Sequence, residues 1–347
     1  MKIPARPLAA AFVSIAASAL LISGCSAPAA SNSTSTGNKS VSFVTTQPPG
    51  DGAGIDDLVK GLAKLKNEEN VSTKTIEATD PSTYESSVRN AAQANATVIA
   101  GAFPDITNAL RTVAGEFPNT QFVHIFADAP ETPVANLTSV SFDVYKAAYL
   151  SGYAAGSLTK TNTLGWIGGA VSPLLNANFH AYKQGAEAAN PQVKVLSGIV
   201  GSFSDPAKAR DIALGMISQG ADMLQTDAGG SSLGIIQAAE TKGALILTDA
   251  SDAVAQEHPQ TVVGRTYLKF GDALADAAGQ VLQDGKALGT YAASLDKDLV
   301  GLEVSRAFVN GGSTRAADVK NVQVKIDELK KQIIDGQIKV NYDTNGL

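Results

Sequence analysis

From Val41 onward, short apolar runs rich in β-branched residues alternate with longer segments of helical spacing. VSFVTT (41–46), TVIAG (97–101), QFVHIF (121–126), TLGWIGG (163–169), VKVLSGIVG (193–201), ADMLQT (221–226) and ALILTD (244–249) read as strands. The clearest helix lies in SDPAKARDIALGMISQGAD (204–222). There Ser204 or Asp205 can cap, Pro206 suits the first turn, Ile212, Leu214, Met216 and Ile217 recur on one side, and Gly220 ends the run. Strand, helix, strand at this beat implies right-handed crossovers and parallel sheets covered on both faces. About 300 residues follow Val41, more than one hydrophobic core usually serves, so two domains are expected. No period of about 20–50 residues repeats, which excludes a solenoid.

The first 40 residues follow a different pattern. Lys2 and Arg6 precede a largely apolar run, Leu8 to Ile22, that ends in Ser23 and Gly24. A membrane span needs roughly 20 apolar residues, so this layout reads as a cleaved secretory signal over 1–24. Ile22-Ser23-Gly24-Cys25 resembles the lipobox of bacterial lipoproteins, which implies cleavage before Cys25 and acylation of its thiol and new amino terminus. Cys25 would then anchor the protein to the outer face of the cell membrane, at about 0.8 kcal/mol per buried acyl methylene. Residues 25–40 are small and polar after the cysteine and read as a flexible tether, because they cannot bury enough surface to offset chain entropy.

Composition narrows the function classes. Apolar residues are 44% and charged residues 17%, as in globular domains, and the net charge of −6 comes with no basic cluster, which argues against nucleic acid as a partner. Cys25 is the only cysteine, so neither a disulfide framework nor a thiolate metal site is available. His124, His180 and His258 are scattered, so no metal and no cofactor is expected, and His124 within an apolar strand reads as packing.

In open α/β sheets the ligand sits beyond the carboxyl ends of the strands. The turns there, QPPGDGAGIDD, AFPD, GSFSD, DAGGSSLG and DASD, are rich in Gly, Ser and Asp, which allow close backbone approach and short hydrogen bonds. Two enzyme readings compete at these turns. Gly230-Ser231-Ser232-Leu233-Gly234 fits G-x-S-x-G, with Asp249 and His258 following in hydrolase order, yet both follow too soon and no HGGG-type segment precedes the motif. Pro-Pro-Gly-Asp-Gly-Ala-Gly after the first strand lacks the G-x-G-x-x-G order of a dinucleotide site.

The segments GSFSDPAKARDIALGMISQGAD (201–222), AGGSSLGIIQAA (228–239), AAYLSGYAAG (147–156), GWIGGAVSPLL (165–175) and DGQIKV (335–340) resemble the basic membrane protein family. These are purine-nucleoside-receptor-like lipoproteins that serve as substrate-binding components of ABC transporters. The resemblance implies a two-lobed periplasmic-binding fold of type I, α/β, each lobe a parallel sheet flanked by helices. It also implies a nucleoside-like ligand in the interlobe cleft, ABC permease and ATPase subunits as partners, a monomer, and no catalysis. A binding protein for a non-nucleoside polar solute is the alternative. Lobe 1 is expected over 41–142 and 252–300, and lobe 2 over 143–251 and 301–347.

Carried over by position, the resemblance is uneven. Asp51 and Asp56 match the family's first loop, but Gly54 stands where the family has a base-stacking aromatic and Ile55 where it has an edge-reading amide. Phe203, Gly229, Gly230, Asp249 and Lys269 match residues that line the cleft and hold a ribose-like group, with Asp249 accepting from and Lys269 donating to vicinal hydroxyls. Tyr145, Trp166, Phe103 or Phe179 could supply the missing ring, and Phe103 and Phe179 are carried forward as ligand-binding candidates. The hydroxyl-binding side is thus expected to be kept and the base-binding side changed.

Overall fold

The computed structural model describes residues 39–50, 54–128 and 131–347. The expectations for the signal, for Cys25, for the tether up to residue 38 and for Asp51 lie outside these residues.

The first stretch builds one sheet and its helices in the order β1 (Ser40–Thr45), α1 (Gly54–Glu68), β2 (Ser72–Glu77), α2 (Tyr84–Gln93), β3 (Val98–Ala102), α3 (Thr107–Glu116), β4 (Gln121–Ile125) and β5 (Leu137–Phe142). The chain then passes to a second sheet. There α4 (Val144–Leu158), β6 (Thr163–Gly168), α5 (Pro173–Ala189), β7 (Lys194–Ile199), α6 (Pro206–Ser218), β8 (Met223–Asp227), α7 (Ser232–Lys242), β9 (Leu245–Thr248), α8 (Asp252–Glu257) and β10 (Val262–Leu268) follow. It returns for α9 (Phe270–Asp284) and β11 (Thr290–Ala293), then crosses again for β12 (Val300–Val304), α10 (Arg306–Asn310) and α11 (Ala316–Ile334).

Lobe 1 has strand order β11-β5-β4-β3-β1-β2, all parallel, and lobe 2 has β12-β10-β9-β8-β6-β7, parallel except for the antiparallel edge strand β12. Burial on both faces explains why the strands read as continuous apolar runs. Phe43, Val98 and Val123 enter the core beneath α1 and α9, whereas Val44, Ile99 and Phe122 enter the one beneath α2 and α3. In lobe 2, Trp166 faces the core of α4, α5 and α11, and Ile167 faces that of α6 and α7.

Asp205 is the residue that caps α6, its side chain accepting from the Lys208 amide at 3.0 Å with Pro206 at the first position. The small residues of AAYLSGYAAG serve a helix crossing. A Cβ on Gly152 would lie 1.8 Å from the Tyr182 carbonyl oxygen, and one on Gly185 2.0 Å from that of Tyr149, so α4 and α5 approach backbone to backbone.

One expected boundary needs correction. Residues 252–268 do not belong to lobe 1: β10 pairs with β9 and β12 in the second sheet, and α8 packs on β10. The crossing falls at Lys269, immediately before α9. The polar loop after ALILTD resembles a domain exit, but it leads only to a short helix on the same lobe. The three crossings therefore lie at Asp143, Lys269 and within 294–299, and they bring the strand ends of both sheets to one cleft.

Candidate functional site

A cavity of about 820 Å³ lies between the lobes, within the usual size for small-molecule sites. Lobe 1 contributes Gly54, Asp57, Lys60, Phe126 and Phe270; lobe 2 contributes Trp166, Asn178, Phe203, Asp227, Gly229 and Asp249; Lys269 and Asp298 stand at the crossings.

Asp249 follows β9 and is held by three donors. Its Oδ1 accepts from Thr226 Oγ1 at 2.6 Å and Ser232 Oγ at 2.9 Å, and its Oδ2 from the Gly229 amide at 3.0 Å. These donors come from β8 and the turn into α7, so AGGSSLG builds a cradle for one carboxylate. Phe203 lies beside it, 51% exposed although its ring packs over backbone. A Cβ at Gly169 would come within 2.3 Å of that ring, so only glycine allows it to lie there. An exposed aromatic on a cavity wall offers a stacking face.

Lys269 Nζ is 2.5 Å from Asp298 Oδ2, while Lys330 Nζ is 2.5 Å and Tyr267 Oη 2.6 Å from Oδ1. Burial pushes the Asp298 carboxyl up, but the hydrogen bonds from Lys269, Lys330 and Tyr267 outweigh it and hold it below the usual carboxylate range. Burial and then the Asp298 hydrogen bond raise the Tyr267 hydroxyl, so it stays protonated and donates. Lys269 is therefore an oriented cation rather than a mobile one.

The expected site residues divide clearly. Phe203, Gly229, Asp249 and Lys269 share the cavity, and Gly230 sits beside it, with the Phe203 carbonyl oxygen 3.1 Å from where its Cβ would be. Asp56 accepts from the Gly50 amide at 2.7 Å and is not among the lining residues; its neighbour Asp57 is, and accepts from the Gly271 amide at 2.8 Å. Phe179 is corrected to a core residue: it lies on the inner face of α5, 6% exposed and 5.5 Å from the Trp166 ring. Phe103 does not line the cavity either, but its ring meets Phe126 and Phe270 edge to face, at 6.1 and 5.5 Å. Ile55 is buried in the lobe 1 core rather than turned to the cleft. The space beside Gly54 is already filled, since a Cβ there would lie 3.1 Å from Phe103 and 3.6 Å from Phe270.

Sequence reasoning missed Phe270, Phe126, Asp57 and Asp227. Phe270 directly follows the matched Lys269, and Asp57 directly follows Asp56, so each lay one position from a recognised residue. Asp227 closes β8; burial and then the nearby Asp249 charge push its carboxyl up to about 7, against the hydrogen bond from Asn178 at 2.8 Å.

The hydrolase arrangement is not formed. Ser232 donates to Asp249, whereas His258 Nδ1 is 2.7 Å from Glu240, which leaves Ser232 without a base. Among the described residues no group of three or more His, Cys, Asp or Glu could hold a metal ion. His124 rests in lobe 1 with Nε2 2.8 Å from the Phe103 carbonyl oxygen, and burial lowers its pKa, as expected of a packing residue. A second crevice, of about 910 Å³, lies on the other side of Phe126 and includes Tyr145 and Tyr342, but Asp249, Phe203 and Lys269 all face the first.

Two sheets with three crossings and a polar cleft between their strand ends define a type I periplasmic-binding-protein-like fold, and a protein that captures a small solute. An ABC transporter solute-binding protein of Aeropyrum pernix superposes with a TM-score of 0.68 over 87% of this chain and 92% of its own, at 22% identity. The chain belongs to the family of PnrA-like ABC transporter substrate-binding proteins, whose model matches residues 39–344. It is thus a substrate-binding protein of an ABC transporter and not an enzyme. Basic membrane protein D of Borreliella burgdorferi is 27% identical over 88% of each chain. The ABC transporter nucleoside-binding protein BmpA of Lactococcus lactis is 28% identical over 81% of this chain and 82% of its own.

Proposed function

We propose that the protein captures a nucleoside or nucleoside-like molecule in the interlobe cleft and delivers it, as a monomer, to the permease and ATPase of an ABC importer. The observation that carries this reading is the Asp249 carboxylate, fixed by three donors in the same cavity as the exposed Phe203 ring and the Asp298-oriented Lys269. A carboxylate and an ammonium serve vicinal hydroxyls, one accepting and the other donating. The relative named as nucleoside-binding, BmpA, supports the same class.

The base faces a changed wall. Phe203 supplies one ring, and Phe270 with Phe126 stands where Gly54 supplies none. With Ile55 buried, base edges are read by other groups, which favours an altered base preference. Residues 1–24 serve as a signal and 25–40 as a tether from a lipidated Cys25, which places the protein on the extracytoplasmic face of the cell membrane. No described helix is long and apolar enough to cross a membrane.

Calorimetric titration with adenosine, guanosine, inosine, cytidine and uridine tests the reading. Saturable binding of at least one, weakened by Phe203→Ala, is expected. If all five fail to bind, a non-nucleoside polar solute takes the site.

A further inference from the structure

The floor of lobe 2 carries polar groups that the hydroxyl and ring contacts leave unused. Trp166 and Asn178 line the cavity, are 0% and 1% exposed, and have their indole Nε1 and amide Oδ1 buried without a hydrogen-bond partner. Trp166 reaches this floor because it shares a face of the sheet with Gln225, its register partner on β8, whose own amide is committed to Ser151 and to the Thr226 carbonyl. Two residues further along β8, Asp227 accepts from the other end of the Asn178 amide at 2.8 Å. No cation pairs with Asp227 among the described residues. The lining cation from β10, two strands away, is Arg265; its Nη2 pairs with Glu303 at 2.6 Å, while its Nε is a third buried group without a partner. Over the whole lining, carboxylates outnumber cations seven to four.

A buried donor or acceptor without a partner is costly, and where several converge on one cavity a bound group that pairs with them removes that cost. Two acceptors, one of them a carboxyl group with a second carboxylate beside it and no cation paired to it among the described residues, call for a cationic donor. An ammonium offers three N–H bonds, whereas a hydroxyl offers one. The Trp166 N–H, like the Arg265 Nε–H on the same cavity, requires an acceptor on the same ligand. We propose that Asp227, Asn178 and Trp166 form a second subsite in the cleft that takes a protonated amine flanked by a hydroxyl or ring heteroatom, so that the ligand is an aminated nucleoside or a related amino sugar. This rests on the nucleoside-like reading for its sugar and ring contacts and adds the amine to it.

Asp227 is faced by Asp249 from the end of β9 and shares the cavity with the Arg265–Glu303 pair. A cation arriving there expels the proton that Asp227 holds near neutral pH.

Isothermal titration at pH 7, in two buffers of different ionisation enthalpy, would compare adenosine, 3′-amino-3′-deoxyadenosine, 5′-amino-5′-deoxyadenosine and glucosamine. At least one amino analogue is expected to bind about tenfold or more tightly than adenosine and to release protons. The ratio of amine to parent affinity should collapse in Asp227→Asn. Amino analogues that bind no better than adenosine, without proton release, would overturn the subsite while leaving the nucleoside reading intact; an advantage that survives in Asp227→Asn would also overturn it. Binding of glucosamine with proton release, while every nucleoside is silent, would support the subsite and overturn the nucleoside reading. Silence of all four probes would overturn both.

Discussion

Replacing Asp249 by alanine removes the acceptor of three donors, and their different surroundings set the size of the effect. Thr226 Oγ1 keeps the Thr248 hydroxyl at 3.0 Å, and the Gly229 amide lies at an exposed position where water can pair with it. Ser232, 1% exposed, loses its acceptor and gains none. One buried hydroxyl left unpaired costs about 1–3 kcal/mol, or a fall of about 2–4 °C in Tm for each kcal/mol in a chain of this size. Burial first, and the Asp249 charge second, push the Asp227 carboxyl up to about 7. Below that value Asp227 is protonated and the full loss should appear. Above it, removal of the repelling charge offsets part of the loss. Differential scanning calorimetry of wild type and Asp249→Ala at pH 5 and pH 8.5 should therefore show the larger fall in Tm at pH 5. An equal fall at both pH values, or a larger one at pH 8.5, would refute the coupling of the two carboxylates. Ligand affinity should drop with the lost charged hydrogen bond by about 1.5–3 kcal/mol, roughly ten- to a hundredfold.

Further outcomes follow from the same geometry. The folded state holds a proton on Asp227 between about pH 4 and pH 7 that the unfolded chain releases, so wild-type stability should fall as pH rises through that window; Asp227→Asn should flatten the slope in denaturant titrations. Phe270→Ala should weaken binding of a ring-bearing ligand about two- to tenfold, by the loss of about 0.5–1.5 kcal/mol of ring pairing, as read by calorimetry. Gly152→Ala would push a methyl to within 1.8 Å of the Tyr182 carbonyl and should lower stability by about 1–3 kcal/mol or more in thermal unfolding. Cys25→Ala expressed in a bacterial host should lose palmitate labelling and leave the detergent phase on partitioning.

Much of the fold was legible because strands buried on both faces leave long apolar runs, and all seven expected strands have counterparts in the two sheets. Strands at sheet edges leave weaker signals. β2, STKTIE, is an edge strand whose only apolar residue is Ile76, and β11, TYAA, has only four residues. β10 was misassigned to the other lobe because local pattern does not say which sheet a strand joins; its pairing with β9 is a tertiary fact. In the site, Asp249, Phe203 and Lys269 were legible through turn chemistry and family motifs. Phe179 misled because a ring on an amphipathic helix can face either core or cleft, and here it packs on Trp166. Phe126 and Phe270 were invisible as a pair, since 144 residues of chain separate rings that stand 5.6 Å apart.

The central claim is that the ligand lies between the lobes against Phe203, Asp249 and Lys269. A crystal structure of the protein with the tightest-binding nucleoside of the calorimetric panel tests it most directly. Electron density for the sugar is expected within hydrogen-bonding distance of the Asp249 carboxylate and the Lys269 ammonium, with a ring stacked on Phe203. Density in the crevice beyond Phe126, or a bound molecule that touches neither Asp249 nor Lys269, would contradict it.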